Sequence, residues 1–178
     1  MGDREYQEEI MKGFKILNDQ KNVIFLGQNI ISKGCPMYNA LIKCDRNKMI
    51  ELPVIEDTQL GMSIGLCLEG NIVVSVYPRI DFMICAMNQL VNHLDKVKEM
   101  SRGEFKPGVI VITQLGNTKP IDPGVQHKGR YTNGIKKLVK NIDVIKVNNS
   151  NDFLRALNNA KQGIPSLLVI KPSGPWKA

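Results

Sequence analysis

The chain is predicted to fold as an α/β protein: a three-layer, doubly wound, mainly parallel sheet with helices on both faces. Apolar runs rich in Val and Ile alternate with segments of helical period. Those runs lack the apolar–polar alternation of a half-exposed strand, so the sheet needs cover on both sides. Several stop at a glycine or a Gly/Pro/Asn cluster, the punctuation of loops. With 178 residues, 43% of them hydrophobic and 23% charged, the chain suits one domain spanning 1–178 with a sizeable core.

Each element has its own local reason. Residues 3–19 form an amphipathic helix with Ile10, Phe14 and Leu17 on one face, and 22–27 form a short buried strand ending at Gly27. A helix over 36–44 carries Pro36 in its first turn, and Pro53 limits an extended piece over 49–54. Gly61, Ser63 and Gly65 let a helix over 58–70 pack closely until Gly70 stops it. A strand over 71–77 leads to a long helix over 80–103, and the strand over 108–116 halts at Gly116. Pro, Gly and Asn recur through 117–134, which reads as one long loop. A strand at 142–147, a helix at 151–163 and a strand at 165–172 complete the order.

The net charge of +7, with basic clusters at 128–130 and 136–140, raises nucleic acid as a partner. No aromatic-interleaved basic stripe accompanies the charge and aromatics are 6%, so a solvated basic helix face is expected instead. No apolar run nears the roughly 20 residues that cross a bilayer, and the charged start lacks a signal-peptide core; a cytoplasmic protein is expected. Cys35, Cys44, Cys67 and Cys85 form no C-x-x-C pair and should be reduced thiols. With two histidines in the chain, no metal site is expected on it.

Sheets of this kind bind ligands at the carboxyl ends of their strands. Gly27, Glu56, residues 77–79, residues 114–116 and the loop beyond would gather there. Glu56 stands out, a carboxylate where an apolar extended run hands over to a small-residue helix. One reading makes Glu56 and Asp57 ordinary first-turn acids that complement the helix dipole and accept its free N–H groups. The other gives Glu56 chemical work.

Four stretches decide how that question is put: "VIFLGQNI", "ELPVIEDTQLGMSIGLCLEG", "IDFMICAMNQLVNHLDK" and "GVQHKGRY". Together and in this order they resemble the pyrimidine-binding domain of thiamine-diphosphate enzymes. The nearest type is the β subunit of pyruvate and branched-chain 2-oxoacid dehydrogenases, related to transketolase. The resemblance implies that Glu56 bonds N1′ of the cofactor's aminopyrimidine and favours the tautomer that forms the ylide. It places Phe82 against the aminopyrimidine ring, where the alternative is an ordinary core phenylalanine. It places His127 on the substrate side, where the alternative is a solvent-exposed loop histidine. His93 reads as structural or exposed.

The chain departs from the family's pattern. Gln28 stands where an acidic residue often follows the first strand's glycine, and Lys128-Gly129 replace Ser-Gln after the histidine. There is no "GDG…N" motif for Mg²⁺ and the diphosphate, and the sequence ends where a dehydrogenase β subunit would continue. The resemblance therefore implies one subunit of a split thiamine-diphosphate enzyme acting on a 2-oxoacid or ketose. A separate diphosphate-binding subunit would hold Mg²⁺, in a hetero-oligomer with a small-molecule substrate. Lys128 and Arg130 are expected to face an anionic substrate. The alternative is a noncatalytic binding or scaffold subunit that keeps the fold.

Overall fold

The computed structural model describes residues 1–33, 36–118 and 122–174. Six strands, β1 (Val23–Gly27), β2 (Met49–Glu51), β3 (Ile72–Tyr77), β4 (Val109–Gln114), β5 (Asp143–Lys146) and β6 (Ser166–Ile170), form one sheet in the order β2-β1-β3-β4-β6-β5. Every pairing is parallel. From β1 the chain moves outward to β2, then crosses back to β3 on the other side of β1 and continues away. That reversal puts a crevice at the carboxyl ends of β1 and β3, the place where doubly wound sheets take ligands.

The unalternated strands bury both faces, and each face has its own core. Phe25, Val74, Val76, Ile110, Ile112, Leu168 and Ile170 point to one side. They meet Ile10, Phe14 and Leu17 of α1 (Asp3–Asn18), Met37 and Leu41 of α2 (Pro36–Leu41), and Phe153 and Leu157 of α7 (Ser150–Lys161). Phe14 and Phe153 lock α1 to α7, with ring centroids 5.3 Å apart. Leu26, Val73, Val109, Val111, Leu167 and Val169 point to the other side. There they meet Leu60 and Cys67 of α3 (Glu56–Leu68), Ile135 of α6 (Thr132–Leu138), and the segment that follows β3.

Three boundaries differ from expectation. The helix expected over 36–44 ends at Leu41, where Cys44 N–H turns back to the Leu41 carbonyl. The expected loop ends sooner, because α6 begins at Thr132. The long helix over 80–103 is broken into α4 (Ile80–Met83), a 3₁₀ turn (Ile84–Ala86), a π turn (Gln89–Leu94) and α5 (Val97–Met100). Asp95 N–H reaches five residues back to the Leu90 carbonyl, which brings residues 90 and 95 onto one face. Asp95 needs that face. It is buried, and its carboxylate accepts from the backbone of Lys140 (2.8 Å) and Asn141 (2.6 Å) just before β5.

Among the described residues, no helix is long and apolar enough to cross a membrane. Burial pushes the Cys44 thiol up to about 12 and the Cys67 thiol to about 11, so neither is a thiolate near neutrality. Cys85 is exposed, and Cys35 lies outside the described residues.

Asp95 also sets a pH dependence. Burial works against its charge, but Lys96 and the N–H groups of Asn141 and Lys140 outweigh it and hold the carboxyl below its ordinary value. A folded-state pKa that is depressed adds stability above the unfolded value, about pH 4, and that stability fades as pH falls through the folded value. Asp95→Asn should therefore be less stable than wild type at pH 7, and the gap should narrow on acidification below about pH 4. Urea unfolding at both ends of that window checks this; a gap that stays constant would refute it.

Candidate functional site

The crevice owes its opening to missing side chains and its walls to buried polar ones. At Gly27, the last residue of β1, a Cβ would collide with the Val76 carbonyl oxygen. Gln28 follows, and the next turn passes through Asn29 at φ +55°. The Glu51 carboxylate at the end of β2 gathers the N–H groups of Asn29, Ile30 (3.0 Å) and Ile31 (2.9 Å). An edge-strand carboxylate thus fixes the loop that presents Gln28.

Gln59 closes the crevice from the α3 side. Fully buried, it donates to Ser75 Oγ (3.1 Å), the Val76 carbonyl (3.1 Å) and the Leu26 carbonyl (3.5 Å), tying α3 to β1 and β3 at once. Its oxygen has no partner among the described residues. Sequence reasoning passed over both Glu51 and Gln59. The signal for Gln59 was there: it lies one helical turn before Ser63, on the buried face with Leu60 and Cys67.

Glu56 is the first residue of α3 and is 9% exposed. Its carbonyl accepts from Tyr77 Oη at 3.0 Å, fastening the helix start to the end of β3. Burial pushes the Tyr77 phenol well above its ordinary value, so it stays a neutral donor. The Glu56 carboxyl makes no hydrogen bond among the described residues, and no side chain caps this helix. The first-turn reading expected its oxygens to accept free N–H groups; they do not. Asp57 instead accepts from Gln89 Nε2 at 3.2 Å, joining α3 to the π turn.

Phe82 and His127 come together. Their rings meet edge to face, with centroids 5.4 Å apart and planes at 83°. Phe82 is half-buried and belongs to neither core, so it is not an ordinary core phenylalanine. His127 ends a 3₁₀ turn (Val125–His127), and its Nδ1 lies 3.0 Å from the Pro123 carbonyl. A carbonyl only accepts, so Nδ1 carries the proton and Nε2 is left free to accept in the neutral ring. His93 is exposed on the π turn.

The cations of this loop hold the loop itself. Lys128 pairs with Asp122 at 2.8 Å, and Arg130 donates to the carbonyls of Gly116, Lys128 and Gly129. Arg79 donates to the His127 carbonyl at 3.4 Å. Asp81 Oδ1 accepts from Gly129 N–H at 2.9 Å. Among the described residues, no group of three or more His, Cys, Asp or Glu is placed to hold a metal ion.

The whole architecture has a solved counterpart. A split-gene transketolase chain, described as an inactive β4 tetramer, superposes with a TM-score of 0.67 over 98% of this chain, at 13% identity. The fold is transketolase-like. The chain spans 52% of the length of that structure. No protein-family model matches the sequence, and no curated protein matches it.

Gly116 makes the arrangement testable. A Cβ there would fall on the His127 carbonyl, whereas one at Gly134 would meet open space. Gly116→Ala should displace the loop, move the His127 imidazole NMR signals and cost about 1–3 kcal/mol of stability. Gly134→Ala should leave those signals in place. Unmoved His127 signals in the first variant would show that Gly116 does not set the loop's position.

Proposed function

We propose that this chain is the pyrimidine-binding subunit, residues 1–178 as one domain, of a split thiamine-diphosphate enzyme that acts on a 2-oxoacid or ketose. The observation that carries the reading is Glu56: 9% exposed as a residue, at the switch-point edge, with a carboxyl that makes no hydrogen bond among the described residues. A carboxyl that no helix N–H engages stays available to a ligand's ring nitrogen instead of finishing the helix.

The other groups at the edge fit an aminopyrimidine. Phe82 offers an aromatic surface beside the crevice, braced by His127. Gln59 Oε1 is an unpartnered acceptor for an exocyclic amine. When bound, the cofactor supplies a carbon nucleophile for addition to a carbonyl. Glu56 would hold and share the proton at N1′, and His127 Nε2 would face the substrate as acid or base. Mg²⁺ and the diphosphate fall to a separate subunit in a hetero-oligomer. The neighbour, a split-gene transketolase described as an inactive β4 tetramer, supports a reading in which a second chain is needed. A noncatalytic scaffold, the rival reading, assigns no work to a carboxyl that the fold itself does not bond.

Glu56→Gln tests the proposal. Gln matches Glu in shape and can still hydrogen-bond N1′, but it cannot share a titratable proton. Fold and subunit assembly should persist, while exchange of the cofactor's thiazolium C2 proton for deuterium in the reconstituted complex slows roughly 10²–10⁴-fold. Exchange at the wild-type rate in an assembled mutant complex would return Glu56 to a structural role.

A further inference from the structure

Residues 122–130 carry His127 on a segment with no apolar hold on the protein. None of its side chains belongs to either core, and Val125 is 87% exposed. The next buried side chain is Thr132, at the start of α6. Polar bonds therefore decide where the segment lies. Most of them stay within it: Lys128 to Asp122, Gly124 N–H to Asp122 Oδ1, His127 Nδ1 to the Pro123 carbonyl, and Arg130 to the carbonyls of Lys128 and Gly129. Such bonds give the loop a shape without giving it a place.

Among the described residues, three hydrogen bonds reach outward. Arg130 Nη1 donates to the Gly116 carbonyl at 3.1 Å, but Gly116 opens the same connection between β4 and α6. Arg79 donates to the His127 carbonyl at 3.4 Å, beyond the usual range for an N–H···O bond. The third runs from Gly129 N–H to Asp81 Oδ1 at 2.9 Å. Its carboxylate acceptor makes it charge-assisted, roughly twice as strong as a neutral bond. The other Asp81 oxygen is buried and has no partner among the described residues, so the Gly129 bond is the one this carboxylate makes there. The bond also depends on glycine. A Cβ at 129 would collide with the Tyr131 ring and come within 2.6 Å of Asp81 Oδ1.

We propose that Asp81 is a positioning residue: its carboxylate clamps the 122–130 loop to the segment after β3 and so holds the His127 imidazole against Phe82. The clamp lies beside the rings it serves. Phe82 follows Asp81 directly and His127 precedes Gly129 by two residues, so the backbone bond and the edge-to-face contact are neighbours. Aromatic pairs attract over a range of offsets and tilts, so two half-buried rings can slide on one another. A charge-assisted hydrogen bond is directional and fixes the backbone next to them. The inference rests on the functional reading above only in giving His127 a substrate to face; the placement is a property of the free chain.

The test is NMR on the full-length chain with its two histidines and its phenylalanines ring-labelled. Wild type should show an NOE between the Phe82 and His127 rings. Asp81→Ala should lose that NOE and shift the His127 ring signals, while those of His93, exposed on the π turn, stay in place. Asp81→Asn keeps an acceptor oxygen in the same position and should retain the NOE. An Asp81 that only stabilised the fold would lower the urea midpoint of Asp81→Ala and leave the ring contact intact in the folded molecules; that result overturns the proposal, as does loss of the contact in Asp81→Asn. Should Asp81→Ala fail to fold, Gly129→Ala breaks the same bond from the loop side and is read in the same way. In wild type the Gly129 amide should exchange with solvent more slowly than those of Lys128 and Arg130, and equal rates would mean that the clamp does not exist. The cofactor reading stands or falls on C2 proton exchange, and no cofactor is present here, so the two failures are told apart.

Discussion

All six strands run the same way, so every strand delivers its last residue to one edge. This single constraint organises the molecule. Parallel pairing forces each connection to travel back over a face, which places helices on both sides and makes two cores from alternate residues of the same strands. It also concentrates loops, unpaired carbonyls and polar side chains at the carboxyl edge. The reversal of direction between β1 and β3 opens that edge where Gly27 has no side chain to fill it.

The two edges of the sheet are built differently. At the amino edge, the Asp95 carboxylate satisfies the backbone before β5, and its own bonds hold it charged. At the carboxyl edge, Glu51 satisfies its loop in the same manner, yet Gln28, Gln59, Asp81, Thr113 and Gln114 keep buried atoms without partners among the described residues. Each such atom costs about 1–3 kcal/mol relative to a paired one. Among the described residues, the fold therefore concentrates its buried polar dissatisfaction at the carboxyl edge.

The sequence carried the sheet plainly, because Val/Ile runs bounded by Gly are decided by local chemistry and burial. Glu56, Phe82 and His127 were singled out by their setting, and the structure brings the Phe82 and His127 rings into contact. What escaped was tertiary in origin. The break in the 80–103 helix accompanies Asp95 bonding the backbone 45 positions later, just before β5, which no helical period in 80–103 announces. Glu51 and Gln59 looked like routine polar residues on an edge strand and a helix, since their partners are backbone atoms of distant segments. Lys128 and Arg130 looked free because charge in a loop says nothing about which carbonyls it will meet.

The π turn at Gln89–Leu94 carries a consequence for how such a chain can change over time. An inserted residue in a helix rotates everything beyond it by about 100°, and a wide turn absorbs that rotation locally. Upstream of the turn lie Asp81 and Phe82; downstream lies Asp95, anchored to the start of β5. The wide turn lets the two ends face their separate obligations at the same time. Loss of one residue between them would swing either the carboxylate off the backbone before β5 or the aromatic ring off its histidine. Length in this segment is thus constrained more tightly than identity, a restriction that a comparison of side chains alone would never disclose.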